Sequence, residues 1–398
     1  HEVNIKILLT DVMADSKNGM TLEKRNRLLE SMTDEVASLV LQHNYQQTQG
    51  ISLTETQAAE HLTVHADWIR DLERYEGIDR VLEGLPGEEE IESRQRAGKG
   101  LTRPELAVLF SYAKITFAKD LLASDIPDLP ETENWLVDYF PSPLRKKYET
   151  VIRRHRLRRE IVATSLASTM VNRLGPTFVK ECMEKTGAAP SDVARAYLIV
   201  RAAFDLETLG KQVEALDNLV PAAVQLAALR DISAMAGREV LWFLTRLGRE
   251  LNVSEDIREF RTGISQLQAT LDDVLTEQQT RFIKQRTDQG IADGLQPDLA
   301  HRIAMIPRLG AACDIIRISL ECKTPIPLAA RVYFAAGEHF PLHWLRKQAR
   351  YIATDNRWTS EALDGLIDQL YSCQTGLATR ILTDMKTEIK RASCGPSG

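Results

Sequence analysis

The sequence predicts an all-α protein, an irregular multi-helix bundle with no Rossmann sheet and no regular solenoid repeat. Apolar residues recur at helical spacing along most of the 398 residues. Capping signatures stand ahead of several of these stretches. No β-branched runs alternate with helices, and helix and linker lengths follow no fixed period, which disfavours HEAT-, armadillo- or TPR-like arrays.

In chain order, Ile5, Leu8, Leu9, Val12 and Met13 fall on one helical face. Residues 21–49 read as two helices in series, with Thr33 as N-cap of the second and Asp34 and Glu35 placed to favour its dipole. Thr54 to Gln57 reads as a capping box opening a helix that runs through Glu76 and stops at Gly77. Thr102-Arg103-Pro104-Glu105 is a second capping box, with proline where its missing N–H costs nothing. Leu106, Leu109, Phe110, Ala113 and Phe117 follow as a stripe suited to burial. Further helices are expected over 157–172, 191–216, 221–248, 254–287, 297–321 and 359–391, with Pro176 after Gly175 ending the first of them. Polar or proline-containing linkers are expected over 84–100, 125–134, 186–192 and 290–298.

An apolar share of 43% and a charged share of 27% describe an ordinary folded protein. A net charge of −6 gives no bulk reason to expect nucleic acid or anionic membrane as partner. The five cysteines (Cys182, Cys313, Cys322, Cys373, Cys394) show no CxxC spacing, which removes the usual zinc-ribbon and thioredoxin-type patterns. Reduced thiols and a cytoplasmic setting are the simplest reading. No apolar run has membrane-spanning length.

His61 and His65 stand at i, i+4, a spacing able to place two imidazoles on one metal, but no third ligand follows, so packing or surface roles are expected. His339 and His343 share the spacing with Pro341 between them. The Gly98-Lys99-Gly100 turn ahead of the Thr102 cap is basic and matches no phosphate-loop pattern. Lys99, Gly100 and Arg103 are the candidates for a possible anion or interdomain contact, docking by charge on a neighbouring domain being the favoured reading. Arg145 to Arg159 is the most basic segment, and salt bridges to acidic helices are expected there rather than nucleic-acid binding. No GxSxG elbow or nucleophile context stands out.

Six long phrases carry more information than these short patterns. They are HEVNIKILL from His1, MTDEVASLVLQHNYQQTQ from Met32, RAGKGLTRPELAVLFSYAKI from Arg96, DYFPSPLRKKY from Asp138, LRREIVATSLASTMVNRLGPTF from Leu157, and AYLIVRAAFDLETLGKQVEALD from Ala196. Together they closely resemble the C-terminal helical region of the large bacterial NAD-specific glutamate dehydrogenases, densely as far as about Arg261. The resemblance implies an upstream core that oxidises L-glutamate with NAD and water to 2-oxoglutarate, ammonia and NADH. It implies no catalytic, cofactor or metal residue in this chain, because the motifs that carry them are not among its phrases. The chain opens at His1 within what reads as structured sequence, suggesting a piece of a longer polypeptide whose partners are that upstream catalytic domain and further copies of itself. Expected divisions are a connecting helix over 1–19, a main helical domain over 20–290 and a C-terminal subdomain over 291–398. The role expected is structural, assembly-related or regulatory, the alternative being a stand-alone effector-binding or helical adaptor module. The HEVNIKILL helix is expected to turn its Ile5, Leu8, Leu9, Val12 face partly onto the preceding catalytic core and to fray without it.

Overall fold

The computed structural model describes residues 1–14, 20–248, 251–349, 351–352 and 357–393. Among them there are twenty α-helices and no strand. The first eleven are α1 (Glu2–Ala14), α2 (Leu22–Ser31), α3 (Thr33–Glu55), α4 (Leu62–Asp71), α5 (Glu88–Arg96), α6 (Arg103–Leu122), α7 (Glu133–Asp138), α8 (Ser142–Ile152), α9 (Arg158–Leu174), α10 (Phe178–Thr186) and α11 (Pro190–Ala203). Then come α12 (Leu206–Glu214), α13 (Ala222–Arg246), α14 (Val253–Val274), α15 (Glu277–Ala292), α16 (Pro297–Leu309), α17 (Ala312–Glu321), α18 (Ile326–His339), α19 (Leu342–Ala349) and α20 (Arg357–Ser393). The helices form two compact units, one of residues 1–198 with 243–253, the other of 199–242 with 254–398.

Several expected boundaries move, each for a local reason. Thr33 is the first residue of α3 rather than its cap: its hydroxyl donates to the Leu29 carbonyl, and Met32 stands at the boundary. Thr54 opens nothing, because α3 runs through it to Glu55. The next helix starts at Leu62, widens to a π-turn over Leu72–Glu76 and stops at Gly77, whose φ of +67° is the left-handed cap expected of it. The expected linker at 84–100 contains α5. The expected 191–216 helix breaks at Asp205, held at φ +50°. The expected 254–287 helix is two, the second opened by a Thr276–Gln279 capping box. The expected 297–321 helix is cut at Gly310 and Ala311. The capped helix at Thr102 forms as expected, with Leu106, Leu109, Phe110, Ala113 and Phe117 all buried.

Two apolar cores among the described residues of the first unit bear on its ends. One joins Ile51, Leu62, Ile69, Leu101, Leu106, Leu109, Phe110 and Val171 where α3, α4, α6 and α9 meet. The other corrects the expectation for α1: Ile5, Leu8, Leu9 and Val12 are covered inside the unit, against Phe140 and the Leu144, Tyr148, Ile152 face of α8. Burying four such side chains is worth roughly 6–12 kcal/mol gross, before ordering entropy is deducted. Met13, at the edge of that face, stays exposed. In the second unit α15 and α16 pair closely, and Gly263 of α14 lets the Ile316 side chain of α17 approach to 2.7 Å of where a Cβ would stand.

Candidate functional site

The basic turn before α6 is tied down by its own carboxylates. The Arg94 guanidinium grips Glu105 with two bonds, Nη1 to Oε2 at 2.6 Å and Nη2 to Oε1 at 2.8 Å, and also reaches Glu90. Glu105 Oε2 accepts from the Thr102 backbone N–H at 2.6 Å. Burial opposes the Glu105 charge, but the bonds from Arg94 and Thr102 outweigh it and hold the carboxyl below its usual range. Gly100 lies against the Ala58 backbone so closely that a Cβ would stand 2.2 Å from the Ala58 carbonyl carbon, a contact only glycine permits. Arg103 donates to Ser52 Oγ at 2.8 Å, Glu55 Oε2 at 2.9 Å and the Thr48 carbonyl at 3.1 Å, all at the end of α3. Lys99 is exposed. The turn therefore brings Gly100 and Arg103 onto the end of α3 and the segment that follows it, with Lys99 facing solvent.

More links run from α1 and α3 into the later helices of this unit. Glu35 accepts from the Ser142 N–H at 2.7 Å and from its hydroxyl at 2.8 Å, capping α8. Gly50 sits where a Cβ would come within 2.6 Å of the Asn172 carbonyl oxygen of α9. His155 is buried: its Nδ1 accepts from the Leu157 N–H at 3.0 Å, so Nε2 donates to the Asn4 carbonyl of α1 at 3.0 Å.

Five of the six arginines in the 145–159 segment are engaged in ion pairs. Arg145 meets Asp138, Arg153 meets Glu133 and Glu149, Arg156 meets Asp11, and Arg158 and Arg159 share Asp128. His65 is buried, its Nδ1 has no partner, and burial with the neighbouring His61 pulls its pKa down to about 4. The two rings are 6.2 Å apart, and among the described residues no three potential ligands gather to hold a metal. His339 ends α18 and His343 belongs to α19, so they share no helix face. Burial pushes the Cys182 and Cys313 thiols up, which keeps them protonated and poorly nucleophilic. Cys394 lies outside the described residues. No described helix is long and apolar enough to cross a membrane.

The second unit contains a cluster that no sequence pattern announced. Arg346 of α19, 7% exposed, donates through Nη2 to Gln374 Oε1 at 2.9 Å, and its guanidinium lies 4.1 Å from the Tyr371 ring centre. Its Nε and Nη1 are buried without an acceptor, as are Arg308 Nε and the Tyr333 hydroxyl. Each such donor costs about 1–3 kcal/mol. Arg238 pairs with the buried Glu239 at 3.2 Å and Arg286 with Asp231 at 2.5 Å. Burial raises the Glu239 pKa to about 7 against the pull of Arg238. Gln374 reaches the Tyr333 carbonyl at 2.9 Å, an approach left open by Gly337. These residues come from α13, α15, α16, α18, α19 and α20, too far apart in sequence for any local spacing to signal them.

The family model for "Glutamate dehydrogenase, C-terminal" matches residues 98–394. That for "Bacterial NAD-glutamate dehydrogenase, catalytic domain" matches residues 1–54, past α1 and nearly to the end of α3. The NAD-specific glutamate dehydrogenase of Halomonas elongata is 37% identical over 382 residues, covering 96% of this chain and 24% of that protein. The proteins of the same name from Pseudomonas aeruginosa and Mycobacterium tuberculosis are 38% identical over 383 residues and 32% over 382, with 24% and 23% of their lengths covered. The chain thus spans about a quarter of the length of the curated relatives it matches.

Proposed function

From the premise that this chain belongs to the glutamate dehydrogenase C-terminal family, we propose that it fixes the end of the catalytic domain of an NAD-specific glutamate dehydrogenase to the helices α6, α8 and α9 of its first unit. The chemistry, oxidation of L-glutamate by NAD and water to 2-oxoglutarate, ammonia and NADH, belongs to the upstream core. This chain carries no catalytic or nucleotide-binding residue in that reading. Its contribution is structural: it fixes the end of the catalytic domain against helices that follow it, and so limits how that domain moves and how subunits assemble.

One observation carries the reading. Helix α1 and nearly all of α3, within the 1–54 match to the catalytic-domain model, are built into the same cores and polar bonds as helices matched by the C-terminal model. The α1 face packs on α8, Gly50 touches α9, and Arg103 of α6 grips Thr48, Ser52 and Glu55. Leu22, Val40 and Leu41 of α2 and α3 remain exposed and apolar, the kind of surface that a further domain would cover.

The test uses a full-length polypeptide containing the catalytic domain. Gly50→Val forces α3 and α9 apart, and dehydrogenase activity should then be lost at a lower temperature, together with unfolding of the helical region. Activity that persists after the helical region has melted would defeat the reading.

A further inference from the structure

Most charged clusters in the chain close on themselves. The surface hollow lined by Arg70, Glu73, Arg80 and Glu88 is filled by its own ion pairs, and that along Arg281, Lys284 and Asp288 is one exposed face of α15. The arginine cluster of the second unit does not close. We propose that Arg346, Arg308 and Tyr333 form a binding site for a small oxyanion, a carboxylate or a phosphate, whose oxygens accept the hydrogen bonds these buried donors lack.

The first support is the mismatch of donors and acceptors. A guanidinium has only donors, and a phenol hydroxyl that finds no acceptor is free to donate. Arg346 Nε and Nη1, Arg308 Nε and the Tyr333 hydroxyl are four buried donor positions without a bond. The Tyr371 ring offers its face to the Arg346 charge, yet Nε and Nη1 keep no acceptor.

The second support is charge. Arg238 and Arg286 each have a carboxylate, Glu239 and Asp231, whereas Arg308 and Arg346 have none at ion-pair distance among the described residues. The Asp314 carboxylate is engaged by Trp242 Nε1 at 2.8 Å. Burial, then Arg346 and, less strongly, Arg286 push the Arg308 pKa down, with Tyr371 and the exposed Glu338 pulling against them. Like cations gathered in a water-poor setting are stabilised by an anion brought among them, by the same logic that makes charge-assisted bonds strong.

The third is placement. The donors come from the end of α16, from α18 and from α19, and the partners that hold Arg346 come from α20. An anion there would tie four helices together, so binding should stiffen the second unit. That is a means by which a metabolite could act on this region without any catalytic residue.

The experiment is calorimetry and thermal unfolding of the 398-residue chain with inorganic phosphate and, separately, succinate, at ionic strength matched with chloride. Saturable binding of at least one anion, with a raised melting temperature, is expected. Succinate alone points to a carboxylate ligand, phosphate alone to a phosphate ester. Arg346→Gln should weaken binding about tenfold or more, the loss of a charge-assisted bond. Tyr333→Phe, which keeps the ring packing, should weaken it several-fold and decides the matter if Arg346→Gln does not fold. Arg281→Gln, on the exposed face of α15, should leave affinity unchanged. No saturable binding to the unmodified chain, or equal binding by Arg346→Gln and Tyr333→Phe, would overturn the proposal.

Discussion

The same substitution, glycine to alanine inside a helix, should have opposite signs at two positions of this chain. Gly376 lies in α20 with nothing within 4 Å of where a Cβ would stand. Alanine there gains helix propensity and restricts the unfolded chain, about 0.5–1 kcal/mol of added stability. Gly50, inside α3, has the same propensity to gain. Its Cβ, however, would lie 2.6 Å from the Asn172 carbonyl oxygen, 3.1 Å from the Asn172 Cα and 3.1 Å from Phe110 Cε1. Two of these atoms are backbone, so relief requires α3 and α9 to separate by several tenths of an ångström in a close-packed core. Overpacking of this kind costs about 1–3 kcal/mol, leaving Gly50→Ala destabilised by up to about 2 kcal/mol after the propensity gain is deducted. For a unit of this size 1 kcal/mol moves the melting temperature by roughly 2–4 °C. Thermal unfolding followed by circular dichroism should therefore show Gly376→Ala higher and Gly50→Ala lower than the unmodified chain. If Gly50→Ala stabilises as much as Gly376→Ala does, α3 and α9 are not in contact there and the joining role loses its basis.

Other outcomes follow from the same geometry. His65 is held neutral with a pKa near 4, below its unfolded value of about 6.5. The stability this represents is present above pH about 6.5 and is lost as pH falls toward 4, because the unfolded chain takes up the proton first. His65→Gln should flatten the acid limb of a denaturation-against-pH profile between those values, and an unchanged limb would refute it. Glu239 works in the opposite sense: its pKa is raised to about 7, so it adds stability at low pH that disappears as pH climbs from about 4.5 through 7. Comparing Glu239→Gln with the unmodified chain across that range checks the sign. The 145–159 segment, five of its six arginines paired with Asp11, Asp128, Glu133, Asp138 and Glu149, should retain no duplex DNA or RNA in a filter-binding assay at physiological salt. Micromolar binding with a steep salt slope would contradict that. The chain alone should form no NADH from L-glutamate and NAD, and saturable NAD binding by calorimetry would contradict that by showing a nucleotide site in this chain.

The sequence made the helical class plain, and it made local devices plain where they are self-contained. The Thr102 to Glu105 box, the Gly77 stop and the Gly175-Pro176 ending each need only neighbouring residues. It hid the breaks whose cause is a single backbone angle, as at Asp205, and it hid the true start of the helix after Glu55, because Thr54 resembles a cap whether or not a helix is already running through it. The Thr276 box lies inside a long periodic stretch whose apolar spacing runs on through it and masks the break. The basic segment could be read as paired from composition, though which acids it meets could not, since Arg156 reaches back to Asp11. Periodicity identified the α1 face, while its partner α8 is fixed only by tertiary packing. The arginine cluster was beyond sequence reading altogether: Arg238, Arg308 and Arg346 acquire meaning only when five or more helices bring them near Tyr371 and Tyr333.

Amide hydrogen exchange on the 398-residue chain in isolation tests most directly whether the catalytic-domain end and the helical body share one core. Residues 5–12 of α1 and 49–53 of α3 should exchange as slowly as the buried stretches of α6, α8 and α9, opening only when that whole unit opens. Rapid exchange across α1 and the end of α3, with α6, α8 and α9 still protected, would mean that these segments belong to another domain and that the proposed join does not exist.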